Sequence, residues 1–462
     1  MGTAVVWLRR DLRVRDQPTF LAAADAADRS LALFVLDPAL LGPSGAPRRT
    51  YLYRSIRALD AALGGRLLVV RGDPAKLVPR VAAAVEATTV HVAADFGPYG
   101  TRRDEAVGKG LADAGRELVR SGSPYAVAPG RVRKSGGEPY RVFTPFRRAW
   151  AEHGWRHPAQ TDAGTVTWLA APGDVPGDVP AVAIPDDEDV GATLPEAGED
   201  AARARWQEFL DGPVSRYGID RNRPDLPGTS RMSVHLKYGE IHPRTLLADL
   251  AALRSESAEA FRSQIAWREF YADVLFQRPD SARRNYDRAF DAMPLASGKR
   301  AQGRFDAWCA GRTGFPIVDA GMRQLSEQAW IHNRVRMIVA SFLVKDLHLP
   351  WWLGARHFMR LLVDGDLASN QHGWQWTAGT GTDAAPFFRV FNPVVQGEKF
   401  DPDGDYVRRF VPELRGVAGK AVHQPWALPD GVPDGYPAPI VDHQAERQEA
   451  LARYERVKAA RG

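Results

Sequence analysis

The segment that decides the fold extends from Trp330 to Asn392 and reads WIHNRVRMIVASFLVKDLHLPWWLGARHFMRLLVDGDLASNQHGWQWTAGTGTDAAPFFRVFN. Apolar residues recur there at helical spacing, which predicts one helix over His332–Leu347 and a second over Ala355–Leu362. Polar and aromatic residues collect after the second helix, around Asn370. Such a gathering between helices indicates a cofactor pocket, and a satisfied polar core with loop caps is the alternative.

Charged residues in this segment predict an ion pair. Arg336 lies near the start of an apolar helix, and Asp364 and Asp366 follow the next helix. A charge that is buried among apolar side chains needs a partner of opposite sign. We therefore expect Arg336 to pair with Asp364 or with Asp366.

The C-terminal half around this segment has the pattern of an all-α domain. Helical spacing recurs over Trp206–Leu210, Thr245–Leu253, Ala258–Phe276 and Val318–Gln328, and no clear strand pattern follows Ala201. Nine of the 13 tryptophans lie in this half. Most tryptophans of a helical domain belong to its core, but their concentration beside polar residues favours a binding site. We predict an all-α domain over residues 201–462.

The N-terminal part predicts an open α/β sheet. Short apolar runs indicate strands at Ala4–Leu8, Leu31–Leu36, Arg66–Val70 and Thr89–Ala93. Helical stretches alternate with them at Pro18–Ala27, Arg48–Leu63 and Pro74–Glu86, the last capped by Asp73. This alternation predicts a parallel, Rossmann-like sheet over residues 1–125, and such sheets bind ligands at the carboxyl ends of their strands.

Residues 126–200 are predicted to form an interdomain linker with an unusual charge. Their repeat Pro172–Pro180, PGDVPGDVP, has the composition of a connector. Thr161–Asp200 holds 10 acidic residues and no Lys or Arg, which leaves 61 basic and 46 acidic residues elsewhere. A basic body suits a phosphate backbone as partner, and ordinary solubility is the alternative.

Composition narrows the class of protein. With 44% hydrophobic residues, the 462-residue chain has enough apolar material for real cores. No apolar run reaches about 18 residues and the N-terminus does not fit a signal peptide, so a cytoplasmic protein without membrane contact is expected. The single cysteine, Cys309, excludes an internal disulfide and a cysteine-based zinc site, and no other metal cluster is predicted.

Two further clusters lie upstream of the opening segment. The run GTSRMS, Gly228–Ser233, offers hydroxyl and backbone N–H groups at a helix start, which suits a phosphate or forms a plain helix cap. In the predicted helix around WREFY, the spacing of Gln264, Trp267 and Arg268 puts these side chains on one face.

Seven runs, in chain order, resemble the signature sequences of the photolyase/cryptochrome family: WLRRDLRVRD, GTSRMS, WREFY, TGFPIVDAGMRQL, HNRVRM, DGDLASNQHGWQW and TGTDAAPFFRVFNP. Within the family the chain looks most like a class I cyclobutane pyrimidine dimer photolyase. The resemblance implies an α/β antenna domain, a connector and an all-α FAD domain. It also implies light-driven repair of dimers in UV-damaged DNA, by electron transfer from excited reduced FAD. A monomer is expected.

The resemblance implies roles for individual residues. Those that would hold FAD are Tyr217, Thr229, Ser230, Arg231, Ser233, Arg336, Asp364, Asp366 and Asn370, the last facing flavin N5. Those at the substrate edge would be Arg221, Gln264, Trp267, Asn333, Arg334, Met337 and Trp376. Among these, Gln264, Trp267, Asn333 and Met337 would take part in catalysis together with Asn370. A relay that photoreduces FAD would begin with Trp374 and Trp351.

The sequence departs from the family pattern at two places. Gln264 stands where cyclobutane dimer photolyases have Glu, and Gln also occurs there in 6-4 photoproduct photolyases. Those enzymes have His where this chain has Asn333 and Met337, so cyclobutane dimers stay the expected substrate. The alternatives are a 6-4 photolyase and a cryptochrome-type blue-light photoreceptor. The third relay tryptophan is replaced by Gly298. The alternatives are that another aromatic residue, such as Trp308, is the terminal donor, or that the relay is inefficient.

An antenna chromophore is the remaining expectation. Asp95, in the run DFGPYG, and Lys237 resemble the site of family members that use an 8-hydroxy-deazaflavin. Ordinary surface residues are the alternative explanation of both. A folate antenna, or none, also stays open.

Overall fold

The computed structural model describes residues 2–169 and 179–459, so most of the repeat Pro172–Pro180 lies outside the described residues. The chain divides into two compact units. The first unit comprises Met1–Val190, Pro195–Gly212 and Ser230–Pro279, and the second comprises Gly191–Leu194, Pro213–Thr229 and Asp280–Gly462. The domain boundaries predicted at residues 125 and 200 were placed where composition and hydrophobic spacing change along the sequence. They differ from this division and stay a prediction.

A five-stranded parallel sheet forms the centre of the first unit. Its strands are β1 (Thr3–Leu8), β2 (Arg29–Leu36), β3 (Leu67–Arg71), β4 (Thr89–Val92) and β5 (Glu117–Arg120). Their spatial order is β3-β2-β1-β4-β5. The first four strands confirm the predicted ones, because each is a short apolar run buried on both faces. The strand β5 was not predicted, since Leu118 alone among its four residues is buried.

Helices connect the strands, and they are the main regular elements of the described part of the second unit. In chain order they are α1 (Pro18–Ala26), α2 (Pro38–Leu41), α3 (Ala46–Ala62), α4 (Pro74–Ala84), α5 (Pro98–Ala112), α6 (Phe143–His153), α7 (Glu199–Asp211), α8 (Tyr217–Asp220), α9 (Ser233–Tyr238), α10 (Pro243–Leu250), α11 (Glu256–Gln277), α12 (Gly298–Cys309), α13 (Pro316–Gln328), α14 (Asn333–Ser341), α15 (Trp351–Leu361), α16 (Leu367–Ala378), α17 (Pro393–Phe400), α18 (Asp405–Phe410) and α19 (His443–Ala459). The predicted cap of α4 is confirmed, because the Asp73 carboxylate accepts the N–H of Ala75 at 3.0 Å.

The core of the first unit lies between the sheet and its flanking helices. Val78 of α4 and Val107 of α5 are fully buried in one cluster with Val5 and Val90 of the central strands. Burying one such side chain contributes about 1.5–3 kcal/mol, so this cluster fixes the sheet and the edge at which its strands end. That edge is where a sheet of this kind binds ligands.

The core of the second unit is helical and rich in aromatic residues. Trp308, Phe358 and Trp374 are buried together in the cluster formed mainly by α12–α16. The helices α15 and α16 approach closely at Gly354, where an added Cβ would overlap the ring of Trp374. The absence of a side chain at Gly354 is therefore what allows the edge of the Trp374 ring to approach α15 so closely.

The opening segment folds largely as its spacing predicts, with two differences. The predicted helix His332–Leu347 is α14 followed by a π-helical turn, Phe342–Asp346. The helix α16 was not predicted, because its sequence LASNQHGWQWTA distributes apolar side chains around the helix and buries polar ones. Asn370 therefore lies on a helix and not in a loop.

Candidate functional site

Arg336 and Asp364 form the ion pair that the sequence predicts. Arg336 Nη2 donates to Asp364 Oδ2 at 2.8 Å, and Arg336 Nε donates to the carbonyl oxygen of Ile331 at 2.8 Å. Asp364 is buried, whereas the arginine is half-buried. The alternative partner, Asp366, caps α16 by accepting the N–H of Ser369 at 3.1 Å.

The second carboxylate oxygen of Asp364 is buried without a donor. Asp364 Oδ1 has no hydrogen-bond partner among the described residues. Leaving a buried carboxylate oxygen unsatisfied is costly, so such an atom points to a group that is bound there. A ring N–H, of the kind that an isoalloxazine carries, would satisfy it. The residues present therefore fit the flavin that the sequence resemblance implies.

Asn370 is oriented by a chain of amide hydrogen bonds. Gln371 Nε2 donates to the carbonyl oxygen of Ala282 at 2.6 Å, which leaves Gln371 Oε1 as an acceptor. Asn370 Nδ2 donates to that oxygen at 2.8 Å and to the carbonyl oxygen of Ala355 at 3.1 Å. Both N–H groups of Asn370 are thus used within the second unit. The side chain would therefore offer its Oδ1, an acceptor, to a bound group.

Other predicted residues of the second unit group around two arginines. Arg334 donates from Nε and Nη2 to Asn222 Oδ1 at 3.2 and 2.9 Å. Burial, and next the charge of Arg221, lower the pKa of Arg334. The Arg221 guanidinium lies 5.4 Å from the ring centroid of Tyr217, which is buried. These contacts hold both arginines in fixed positions from which they could bind an anionic group.

The predicted substrate residues of the second unit remain reachable by solvent. Asn333, the first residue of α14, is exposed, and Met337 lies one turn later and is half-buried. Trp376 of α16 is also half-buried. A site for a large substrate needs such accessible side chains, whereas Trp374 of the same helix is only 3% exposed.

The part of the run GTSRMS from Ser230 onward belongs to the first unit. The residue before α9, Met232, makes no side-chain capping hydrogen bond to that helix. Ser230 is buried, and its Oγ accepts the N–H of Met232 at 3.3 Å. Arg231 adopts a left-handed backbone with φ of 56°, which is unfavourable for a residue with a Cβ. Arg231 and Ser233 are exposed. Such strain in a polar run is more typical of a functional turn than of a plain helix cap.

Trp267 lies on α11 with one face covered. Its ring stacks on that of Phe143, with centroids 3.7 Å apart and planes at 11°. Phe143 begins α6 and is buried, whereas Trp267 is half-buried. One turn earlier, Gln264 Nε2 makes a long contact of 3.5 Å to the carbonyl oxygen of Ala260. The stack holds the Trp267 indole rigidly, which suits it to pack against a flat ligand.

A small cavity lies where β1 and β4 end. Its lining includes Arg9, Arg10 and Asp95. Burial alone would raise the pKa of Asp95, but the charges of Arg9, Arg10 and Arg103 lower it below its ordinary value. The sheet order reverses between β1 and β4, which is the usual ligand position in a doubly wound sheet. Lys237 is half-buried on α9 and does not belong to the described lining of this cavity.

The predicted site residues therefore divide between the units. Those in the first unit are Asp95, Ser230, Arg231, Ser233, Lys237, Gln264 and Trp267, and those in the second are Tyr217, Arg221, Thr229, Asn333, Arg334, Arg336, Met337, Trp351, Asp364, Asp366, Asn370, Trp374 and Trp376. Sequence reasoning missed three supporting residues. Asn222 anchors Arg334, Phe143 supports Trp267, and Asn285 accepts the Trp351 indole N–H at 2.9 Å. Of these, Asn222 lies in the polar run RNRPD, which could have drawn attention to it.

Two further findings concern metals and membranes. Across residues 2–169 and 179–459, no group of three or more His, Cys, Asp or Glu side chains is arranged to hold a metal ion. None of the described helices combines the length and the apolar character that spanning a bilayer requires.

A parallel-sheet unit and a mainly helical unit with an open buried acceptor fit the class of two-part flavoproteins. The sequence matches the family "DNA photolyase" over residues 4–163 and the family "FAD binding domain of DNA photolyase" over residues 261–456. It is 43% identical to a deoxyribodipyrimidine photo-lyase of Streptomyces griseus, over 99% of both chains. The chain therefore belongs to the DNA photolyase family.

Solved structures agree with this assignment. A bacterial class III photolyase from Agrobacterium tumefaciens has a TM-score of 0.91 and 38% identity, covering 99% of this chain and 98% of that one. An archaeal photolyase from Sulfolobus tokodaii, solved with two FAD molecules, has a TM-score of 0.82 and 28% identity. The match covers 98% of this chain and 100% of the archaeal one. Both units thus have counterparts in complete photolyases.

Proposed function

We propose that this chain repairs cyclobutane pyrimidine dimers in DNA, using light and FAD, as a deoxyribodipyrimidine photo-lyase. The observation that carries the proposal is the full-length identity of 43% to an enzyme of that name. The open Asp364 acceptor beside Arg336 supports FAD as the cofactor, because it is the group that a flavin ring would satisfy. When bound, reduced FAD supplies the electron that opens the cyclobutane ring.

The chain's own residues would position the flavin and tune its electronic properties. Asp364 would accept a ring N–H of the flavin, and the Arg336 guanidinium would keep that carboxylate ionised and in place. Asn370 would offer an acceptor to another ring N–H, since its own donors are engaged by Ala355 and Gln371. Tyr217, Thr229, Ser230, Arg231, Ser233 and Asp366 would hold the remainder of the cofactor, as the family resemblance implies.

The substrate would be a dimer extruded from the duplex. A dimer stacks poorly, so its extrusion costs less than that of a normal base pair. Trp267, held by Phe143, offers an indole surface for it, and Trp376, Asn333, Met337, Arg221 and Arg334 are the other proposed contacts. Gln264 would hydrogen-bond a base edge without supplying a charge. Basic residues outside the acidic segment would bind phosphates, which makes the affinity dependent on salt.

A flavin-type antenna is the second part of the proposal. The cavity lined by Arg9 and Asp95 has room for only about one water molecule, so it supports the proposal by its position at the usual ligand edge of the sheet. The archaeal relative was solved with two FAD molecules. An 8-hydroxy-deazaflavin is the chromophore that we propose, with Asp95 and Lys237 as contacts. Extraction of the purified protein and a spectrum of the released chromophores tests this, and a folate spectrum would contradict it.

We also propose that the protein acts as a monomer in the cytoplasm. A single cysteine suits a reducing compartment. Light scattering of the purified protein tests the monomer, and fractionation of cells tests the compartment.

One assay tests the main proposal. Purified protein with chemically reduced flavin is given DNA that contains either cyclobutane dimers or 6-4 photoproducts, in blue light and in darkness. We expect light-dependent loss of the cyclobutane dimers alone. Repair of the 6-4 lesion instead would transfer the assignment to that substrate. Intact lesions in both substrates would overturn the repair function and favour a photoreceptor of the cryptochrome type.

A further inference from the structure

We infer that Trp352 is the terminal electron donor when light reduces the oxidised flavin of this chain. The inference rests on the proposed flavin function, in which Trp374 and Trp351 begin a relay. The family's third position is Gly298 here, which carries no side chain to oxidise. The second unit holds another tryptophan beside Trp351, and its surroundings suit the missing role.

The ring of Trp374, on α16, contacts α15, and the other two tryptophans lie at the start of α15. Trp374 lies on Gly354 of α15, and Gly354 is one helical turn from Trp351 on the same face. The ring of Trp351 contacts that of Trp352 edge to face, with centroids 5.9 Å apart and planes at 81°. Rings separated by the distance between Trp351 and Trp352 are close enough to pass an electron, and the contact of Trp374 with Gly354 places its ring one helical turn from Trp351.

Solvent exposure of the tryptophan side chains increases from the inner to the outer end of this series, as a relay that ends at the surface requires. Trp374 and Trp351 are each 3% exposed, whereas Trp352 is half-buried and reaches water. The Trp351 N–H donates to Asn285 Oδ1 at 2.9 Å, and an amide oxygen is not basic enough to take its proton. A positive charge on Trp351 therefore keeps its proton, and only the next ring outward can release one to solvent.

The neighbouring carboxylate supports the outward movement of charge. Asn285 Nδ2 donates to Asp291 Oδ1 at 2.8 Å, so the amide dipole that faces the Trp351 indole is polarised by a negative group. This arrangement stabilises a positive charge on Trp351. It favours movement of the charge from Trp374 to Trp351, and the step from Trp351 to Trp352 is favoured instead by release of the Trp352 indole proton to water.

Trp308, the alternative donor, lies in the core and does not reach the surface. It contacts Trp374 directly, with centroids 6.1 Å apart, and its exposed fraction is 0%. Its indole N–H donates to the carbonyl oxygen of Val339 at 3.0 Å. Its other ring neighbours include Phe305 and His357, which are harder to oxidise than an indole. A charge on Trp308 would have to return through Trp374.

The electron and proton balance closes with one added reductant. Trp352 gives one electron to the Trp351 cation, which becomes neutral, and then releases its indole proton to water. The neutral Trp352 radical is reduced by a soluble thiol, which supplies one electron and one proton and becomes a thiyl radical. The net result is one electron delivered inward for each thiol oxidised to a thiyl radical.

The test uses the flavin-loaded full chain and four variants. Trp352→Phe removes the donor, Trp352→Tyr replaces it with another oxidisable ring, Trp308→Phe is the matched control, and Trp374→Phe breaks the relay at its start. Flavin photoreduction by blue light with a thiol is followed by absorption, and tryptophan radicals are followed by transient absorption.

We expect Trp352→Phe to lose most photoreduction and the long-lived neutral tryptophan radical, Trp352→Tyr to recover part of it, and Trp308→Phe to behave as wild type. Normal photoreduction in Trp352→Phe, or its loss in Trp308→Phe alone, would overturn the inference. Wild-type photoreduction in Trp374→Phe would overturn the relay as a whole. Dimer repair by the chemically reduced Trp352→Phe variant separates the two proposals, because chemical reduction bypasses the relay. If neither the wild type nor the variant repairs dimers after chemical reduction, the repair function alone has failed.

Discussion

Asp364 directs one carboxylate oxygen to Arg336, at 2.8 Å, and keeps the other buried without a partner among the described residues. An ion pair that served stability alone would satisfy both oxygens, since an open buried acceptor costs about 1–3 kcal/mol. The pair is therefore better explained as a prepared binding group. It is the strongest structural support for a flavin in the second unit.

Asp364→Ala is expected to lose FAD while the chain stays helical. The substitution removes the acceptor for the flavin and leaves Arg336 without its counter-charge. It also removes a buried oxygen without a partner, so the two effects on the unfolding free energy, each about 1–3 kcal/mol, oppose each other. The flavin-to-protein ratio and the far-UV circular dichroism measure the two effects. Glu413→Gln is the control, because it breaks a comparable arginine pair with Arg323 in the same unit. Full FAD occupancy in Asp364→Ala would contradict the assigned role.

Asn370→Asp tests the amide chain of α16. The new carboxylate would face two acceptors, the carbonyl oxygen of Ala355 and Gln371 Oε1, that now receive N–H donors. We expect about 1–3 kcal/mol of lost stability and faster oxidation of the reduced flavin in air. The introduced carboxyl group would be favoured in its protonated form, so the loss of stability should grow as pH rises.

The control for this substitution is Asn392→Asp. Asn392 uses its side-chain oxygen to accept the N–H groups of Val394 and Val395, and a carboxylate accepts them equally well. Denaturant unfolding of both variants gives the comparison. Equal stability of the two variants would show that the Asn370 network does not have the assigned orientation.

The sequence predicted those features whose cause is local. Strands β1–β4 follow from apolar runs, and the Arg336–Asp364 pair follows from two charges beside apolar helices. The supports of the site depend on distant chain segments and could not be predicted. Gln371 binds the carbonyl oxygen of Ala282, which is 89 positions away, and no local pattern indicates such a partner.

Some signature runs serve structure rather than chemistry. In TGFPIVDAGMRQL, the buried Asp319 accepts the N–H groups of Thr313 and Gly314 and the hydroxyl of Tyr436. In WREFY, Glu269 accepts the N–H of Val127 and the indole N–H of Trp150. A motif therefore marks a family without showing which of its residues touch a ligand, and only the contacts separate the two roles.

Phe143→Ala is expected to weaken the binding of dimer-containing DNA although Phe143 itself is buried. Removing Phe143 releases the Trp267 indole from its stack, and an aromatic pair of this kind contributes about 0.5–1.5 kcal/mol. Trp267→Ala should weaken binding more, with FAD retained. A double-mutant cycle measures whether the two effects overlap, as they should if Phe143 acts through Trp267.

The control for the stack is Phe276→Ala, an exposed aromatic residue on the same helix. It should leave the affinity for dimer-containing DNA unchanged. Loss of FAD in Trp267→Ala would show that the residue serves the cofactor, and additive effects in the cycle would show that Phe143 contacts DNA independently.

We expect His372 to make the stability of the second unit sensitive to acid. Burial lowers its pKa to about 4, and its ring contacts the carbonyl oxygen of Ala368 and the hydroxyl of Ser281. The unfolded chain takes up a proton near pH 6.5 and the folded chain only near pH 4, so stability falls as pH decreases between these values, by up to about 3 kcal/mol. His357, whose pKa burial lowers to about 4, acts in the same direction.

Asp346 opposes this trend, because burial raises its pKa to about 6 and favours the folded state at low pH. His372→Gln keeps a polar side chain that does not titrate, so its unfolding free energy should fall less than that of wild type from pH 6.5 to 4. Denaturant unfolding at several pH values measures the difference, with the exposed His157→Gln as control. Parallel pH profiles for wild type and His372→Gln would rule out His372 as a source of the acid sensitivity, since only a titrating buried group can make the profiles diverge.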